Sequence, residues 1–248
     1  MGADAPHRSA AALIVGNELL SGKVQDENLV ALAQTLRQLG IALERVVMVP
    51  DQVALIASEV RELSTRFSVV VTSGGVGPTH DDVTIEAVAL AFGVPVVTSR
   101  AMEAMLRAHY GDRCTEGHLR MALIPEGCEL VSNTEVTWPT VLMHNVWVLP
   151  GIPEVFRLKL ALLRARLTGG VPFQSRAVYT QMDEGHLKPL LDAVVVLHPN
   201  VEIGSYPKWG DPTYRTKLTF DGRDTEALRA AVDAFVRLLP PGEPQRVD

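Results

Sequence analysis

The sequence predicts an α/β protein, a mostly parallel sheet held between two helical layers, followed by a small α+β domain. Three observations carry this reading. Short apolar runs at 11–15 and 67–72 alternate with segments of helical periodicity, the pattern of strands buried on both faces. A Gly/Pro stretch, Thr168-Gly-Gly-Val-Pro172, interrupts the chain and reads as a hinge. Beyond it the order changes to βαββα within about 70 residues, the signature of a small antiparallel domain. The expected division is therefore 1–170 and 171–248.

The elements follow in order. Residues 11–15 are continuously apolar and stop at Gly16. Leu29, Leu32, Ala33, Leu36 and Leu39 recur at helical spacing, and Gly40 stands at a C-cap position. Residues 42–49 are strand-like. Asp51 then suits the cap of a helix whose apolar face is Val53, Ile56, Ala57, Val60 and Leu63. Residues 67–72 form a second buried-strand run, and a helix is expected from about Asp82 to Phe92. Residues 101–110 read as helix, and 129–131 and 146–149 as strands. Pro153 opens a helix to about Leu167. In the second domain, 177–181, 201–206 and 214–220 are expected strands, and 184–196 and 225–239 expected helices. The tail from Pro240 to Asp248 is expected to fray.

Composition narrows the function classes. The chain has 248 residues, 47% of them hydrophobic, enough for a large core without disulfides. Net charge is -6 with the two signs intermixed, so no polybasic face marks nucleic acid. No apolar run approaches the ~20 residues of a membrane span. Cys114 and Cys128 lack metal-site spacing. A cytoplasmic location is the expectation.

Chemistry concentrates in two loops at the carboxyl ends of expected strands, where ligands of parallel sheets bind. The first is Thr72-Ser-Gly-Gly-Val-Gly-Pro-Thr-His-Asp-Asp-Val-Thr84. Gly74, Gly75 and Gly77 let the backbone approach a ligand closely. The helix beyond offers unpaired N–H groups that favour an anion. Thr79 adds a hydroxyl. Asp81 and Asp82 would repel a phosphate unless a cation lay between them. The inference is a divalent metal, Mg²⁺ first and Mn²⁺ or Co²⁺ as alternatives. The spacing matches neither a P-loop nor a dinucleotide fingerprint, and a plain turn with Asp82 as helix cap is the alternative. The second loop is Gly16-Asn-Glu-Leu-Leu-Ser-Gly22, with Asp26 and Asn28 beyond it. Glu18 is a candidate metal ligand. Ser21 and Asn28 are candidate ligand-binding groups, although Asp26 or Asn28 is equally placed to cap the next helix. No pair of histidines has metal-ligand spacing, and no nucleophile elbow is present.

These motifs, with Val49-Pro-Asp51 between them, resemble the molybdopterin-binding domain family. That family includes the molybdenum-cofactor enzymes MogA and MoaB, the N-terminal domain of CinA, and a related domain of eukaryotic FAD synthases. The resemblance covers residues 11 to about 167. Ile203-Gly-Ser-Tyr-Pro207 and Asp211-Pro-x-Tyr-x-x-Lys217 resemble the small domain that follows in the CinA and FAD-synthase groups.

The resemblance implies a three-layer fold that is often a homo-oligomer, and a small-molecule nucleotide or pterin phosphate held with a metal. It implies catalytic roles for Asp51 and Asp82, metal binding by Asp82, Asp81 and Glu18, and substrate contacts from Asn133. The implied activity is metal-dependent cleavage of ADP-ribose- or FAD-like dinucleotides. Adenylyl transfer to molybdopterin, or binding of a pterin or nucleotide without turnover, are the alternatives. CinA continues into a deamidase domain that this sequence does not include, so that activity is not expected. The family's Asn-x-x-Gly-x-x-Pro-Gly segment reads here Asn133-Thr-Glu-Val-Thr-Trp-Pro-Thr140. Bulky Val136 and Trp138 are expected to narrow the site or to stack on a ring.

Overall fold

The structure is a computed structural model that describes residues 9–248. The chain divides into two compact units, one closing at Gly170 and the other opening at Val171.

The first unit is built on a six-stranded sheet. Its strands are β1 (Ser9–Val15), β2 (Ala42–Val49), β3 (Val69–Ser73), β6 (Glu129–Val131), β7 (Thr140–Met143) and β8 (Val146–Leu149), in the order β2-β1-β3-β8-β7-β6. The first four in that order are parallel, and β7 and β6 add an antiparallel edge. A separate two-stranded ribbon pairs β4 (Val96–Thr98) with β5 (Leu123–Pro125).

Helices cover both faces, and β1 shows why. Its side chains alternate between faces, and every residue of 10–15 is buried. Ala10, Ala12 and Ile14 pack with Leu32 and Leu36 of α2 (Asn28–Gln38) and with Phe156, Leu160 and Leu163 of α7 (Pro153–Arg166). Ala11, Leu13 and Val15 pack with Ile56, Val60 and Leu63 of α3 (Val53–Arg66) and with Ala87 and Val88 of α4 (Thr84–Phe92). The result is the three-layer α/β/α arrangement that the alternating pattern predicts. The remaining helices of this unit are α1 (Asn17–Leu20), α5 (Arg100–Tyr110) and α6 (Glu116–Arg120).

Register brings the functional loops together. Ile14 pairs with Ser73, and Ser73 with Leu149. The chain therefore leaves β1, β3 and β8 at one level, and the segments that start at Gly16, Gly74 and Pro150 stand side by side.

The second unit is an antiparallel sheet in the order β10-β11-β9-β12. Its strands are β9 (Gln174–Thr180), β10 (Glu202–Pro207), β11 (Thr216–Gly222) and β12 (Arg246–Val247). Alternate residues of β11 are buried. Leu218 and Phe220 meet Leu187 and Val194 of α8 (Glu184–Leu197) and Leu228, Val232 and Phe235 of α9 (Thr225–Leu238).

Four details differ from the sequence reading. Asp51 does not cap α3: Gln52 holds the cap position without a side-chain bond, and the Asp51 carboxylate turns to another loop. Asp82 does not start α4, which begins at Thr84. The short strands β4, β5 and β7 were not foreseen. The tail does not fray. Its residues 246–247 pair with β9, Gln245 N donates to Tyr179 O (2.8 Å) and the Asp248 and Ala177 backbones exchange bonds of 2.8 and 3.1 Å. An otherwise open sheet edge supplies those partners, and the Arg246 guanidinium lies 3.9 Å above the Tyr179 ring.

Candidate functional site

The loop after β1 is a single helical turn. Gly16 N donates to Val49 O (3.2 Å), which ties the turn to β2. The Glu18 carboxylate folds back over Gly16, where a Cβ would collide with it. Ser21 Oγ donates to Glu18 O (3.1 Å), and Asp26 accepts Leu29 N (2.8 Å) at the entrance to α2. Asp51, arriving from β2, accepts Asn17 N through Oδ2 (2.8 Å). The two carboxylates foreseen as site residues are thus delivered by neighbouring parallel strands.

Asn28 sits behind this wall and is almost fully buried. Its amide donates to Ser73 Oγ (2.9 Å) and to Gly151 O (2.8 Å). One side chain therefore ties the segments that follow β1, β3 and β8. Its Oδ1 has no hydrogen-bond partner among the described residues.

The glycine loop follows β3. Gly74 and Gly75 have φ of 102° and 67°, a backbone region that disfavours side chains. A Cβ on Gly74 would run into the Val15 carbonyl, and one on Gly75 into the Thr84 hydroxyl. Thr84 clamps the loop from the helix side: its Oγ1 donates to Gly74 O and its N to Gly75 O, both at 2.9 Å. Gly77 is needed for space alone, since a Cβ there would come within 2.6 Å of Asp82 Oδ2. That oxygen accepts Thr79 N (2.8 Å), and the Thr79 hydroxyl lies 2.5 Å from Asp81 Oδ1 and 2.6 Å from Asp82 Oδ2. One hydroxyl proton cannot serve both carboxylates, so two acidic oxygens converge on a single hydroxyl. The Thr79 bond holds the Asp81 carboxyl below the usual carboxylate range.

These loops line a cavity of about 650 Å³. Glu18, Asp51, Gly74, Gly75, Gly77, Asp81 and Asp82 all line it. Thr79 stands one bond behind the wall. Ser21, Asn28 and Asn133 are not brought to it, and each spends its side chain within the chain. Asn133 Oδ1 accepts the N–H groups of Glu135 (3.0 Å) and Val136 (2.6 Å). Among the described residues, no group of three or more His, Cys, Asp or Glu side chains is arranged to hold a metal ion.

The lining also includes the apolar side chains Met102, Met121, Leu123, Val141 and Val155 and one aromatic residue, Trp138. Trp138 lines the cavity, and it also packs on the cluster of Met102, Leu106 and Ala122. Val136 is instead 2% exposed in the main core and does not reach the cavity.

Two cations in the wall were missed from sequence. Arg120 stands 3.9 Å from Glu86. Lys159, only 4% exposed on α7, donates to Trp138 O (3.0 Å), Pro139 O (3.0 Å) and Thr140 Oγ1 (2.7 Å). Burial pushes its ammonium down to about 8. A signal was available for Lys159: it is a lone charge flanked at helical spacing by buried Phe156, Leu160, Leu162 and Leu163.

Residues 11–168 match the pattern described as probable molybdopterin binding domain, well over half of the chain. The chain belongs to the molybdopterin-binding domain family. Residues 172–248 match the pattern described as FAD synthase, middle domain. A protein of Archaeoglobus fulgidus is 35% identical, over 91% of this chain and 95% of its own length. A Caenorhabditis elegans protein named probable FAD synthase is 31% identical over 94% of this chain, which spans 50% of that larger protein. The crystal structure of CinA from Thermoplasma acidophilum is 32% identical, covers 64% of this chain and 95% of its own, and superimposes with a TM-score of 0.57. In this family member, the glycine loop and the Glu18 turn form adjoining parts of one cavity wall.

Proposed function

We propose that the protein hydrolyses the diphosphate bond of an ADP-ribose- or FAD-like dinucleotide with the help of a divalent cation. The observation that carries this is one cavity lined both by the glycines and carboxylates of the two loops and by apolar side chains with Trp138 among them. Net hydrolysis adds water across P–O–P. The water oxygen bonds to one phosphorus, the bridging P–O bond breaks, and the leaving phosphate takes up the proton. ADP-ribose would give AMP and ribose 5-phosphate, and FAD would give AMP and FMN. The match of residues 172–248 to the FAD synthase middle domain and the relatives named probable FAD synthase favour a dinucleotide.

No three acidic side chains are gathered for a metal among the described residues, so a hard cation would be held here only jointly with the diphosphate oxygens. Asp81 and Asp82 present oxygens within reach of one hydroxyl, and Glu18 lines the same cavity. Phosphate oxygens and water would complete the ligands, as is usual for Mg²⁺. The bound ion supplies charge neutralisation on the diphosphate. The amides of Gly75, Val76 and Gly77 have no acceptor among the described residues, and they stabilise charge that develops on the phosphate oxygens. Asp51 is held by Asn17 through one oxygen, and its other oxygen orients and deprotonates the attacking water. In adenylyl transfer, the second reading, an oxygen of a pterin phosphate takes the place of that water, bonds to the α-phosphorus of ATP, and pyrophosphate leaves.

The test is incubation with ADP-ribose, FAD and related dinucleotides, with and without Mg²⁺, Mn²⁺ or Co²⁺. AMP release that Asp82→Ala abolishes supports hydrolysis. Tight binding with no product under any of these metals overturns it. Product that forms only when ATP and a pterin phosphate are both present selects adenylyl transfer.

A further inference from the structure

The segment 133–140 places Val136 and Thr140 where the resemblance leads one to expect glycines, and it is held by side chains. Val136 leaves the cavity and becomes core. Thr140 is buried, and its hydroxyl meets the Lys159 ammonium. An ammonium has three protons to donate. Lys159 finds three acceptors on three successive residues, Trp138 O, Pro139 O and Thr140 Oγ1. The stem reaches them from α7 through an apolar layer, so the segment is latched to a rigid helix at the point where the Trp138 indole enters the cavity wall. The indole is backed by Met102, Leu106 and Ala122, which leaves the rest of it to the cavity.

We propose that Trp138 is the specificity-determining wall for a planar fused ring, and that Lys159 is the positioning residue that holds it there. The ligand class is a nucleotide or pterin whose ring stacks on the indole while its phosphates lie at the glycine loop. This rests on the dinucleotide reading for the placement of the phosphates, but it concerns binding rather than turnover. Lys159 lines the same wall, but its three protons are all committed to Trp138 O, Pro139 O and Thr140 Oγ1, so none is left for a phosphate. It acts through the backbone of 138–140, so its loss affects only ligands that carry a ring.

The experiment compares binding of AMP with that of ribose 5-phosphate and inorganic pyrophosphate by calorimetry, in the presence of Mg²⁺. It uses the full chain and the variants Trp138→Ala, Lys159→Met and Thr140→Val. Base-aromatic stacking is worth ~1–3 kcal/mol per base, so removal of the indole lowers AMP affinity about tenfold. Lys159→Met, an apolar replacement of similar length, lowers it by a comparable factor. Ribose 5-phosphate and pyrophosphate affinities stay the same in all three variants. Thr140→Val removes one acceptor while preserving shape, and it keeps the test open should Lys159→Met not fold. Quenching of tryptophan emission by AMP is the independent readout: it is present in the parent, absent in Trp138→Ala and weakened in Lys159→Met.

Equal losses for ring-bearing and ringless ligands would show Lys159 to be merely structural and overturn the proposal. So would AMP affinity that Trp138→Ala leaves unchanged. Selective loss for AMP in a protein that hydrolyses no dinucleotide would uphold the ring wall while refuting the hydrolase reading. A parent protein that binds neither AMP nor pyrophosphate would refute both.

Discussion

Burial works against the charge of Lys159, and this makes its contribution to stability depend on pH. Its folded value of about 8 lies below the ordinary 10.5. Between those values the unfolded chain holds the proton and the folded chain has released it. Stability then rises with pH, because unfolding takes up protons. Below about 8 both states are protonated, and the full desolvation penalty is present. Above 10.5 both are neutral and the penalty is gone. Urea unfolding of the parent and of Lys159→Met across pH 7 to 10.5 should show a difference curve that climbs by up to ~1.4 kcal/mol per pH unit above pH 8. A flat curve would mean that the three acceptors keep the ammonium charged throughout. Gly75 offers a second test at this scale. Gly75 and Gly22 share a φ near 70°, but a Cβ on Gly22 meets nothing within 4 Å, whereas one on Gly75 meets the Thr84 hydroxyl. Both alanine variants carry the left-handed backbone cost of ~1–2 kcal/mol. Gly75→Ala should lose a further ~1 kcal/mol or more from overpacking, read as a lower urea midpoint at unchanged slope. Equal losses would show that Thr84 yields freely and does not clamp the loop.

Among the elements, those with a complete periodic signature were legible. The run 11–15 and the helical faces of 53–63 and 225–239 need no tertiary partner to be read, because burial on one or both faces is written into residue spacing. The ends of elements were less so. Asp51 has the right chemistry for a cap, yet Asn17, on a loop 34 residues earlier, claims its carboxylate. Asp82 likewise turns back to Thr79 instead of capping α4. For Asp51 local propensity lost to a contact that only the parallel register creates, and for Asp82 it lost to a competing local one three residues back. The tail shows the same contest in reverse. Residues 240–248 are polar and proline-bearing, which argues for fraying, but β9 presents an edge that they fill. Removal of residues 243–248 should therefore expose β9. Amide exchange at Ala177, whose N–H donates to Asp248 O, should accelerate at least tenfold while amides of β11 stay slow. Unchanged protection would show that β12 contributes nothing to the sheet.

For the whole molecule, the glycine-loop part of the cavity wall was readable as a unit, whereas of the more distant wall residues only Trp138 was. Gly74 to Asp82 is contiguous, so its glycines and carboxylates announce themselves within 9 residues. Lys159, Arg120 and Trp138 reach one wall only after α5, α6, β7 and α7 have been placed, and no local pattern joins 120 to 86 or 159 to 140. The same separation of local from distant contacts governs how the chain is divided. Each large core cluster draws its residues from one side of Gly170: the two that sandwich the six-stranded sheet from before it, and the one around Phe220 and Phe235 from after it. A unit that owns its core has the means to fold alone. Cut between Gly170 and Val171, the two pieces should each unfold in a single cooperative transition, by circular dichroism on heating. On the proposed function, the larger piece should bind pyrophosphate with Mg²⁺ with the affinity measured for the full chain, since the glycine loop, Glu18 and Asp51 all lie within it. A larger piece that melts cooperatively but fails to bind would assign part of the phosphate site to the second unit. A piece with no transition would show that its core, self-contained in composition, is not self-sufficient in stability.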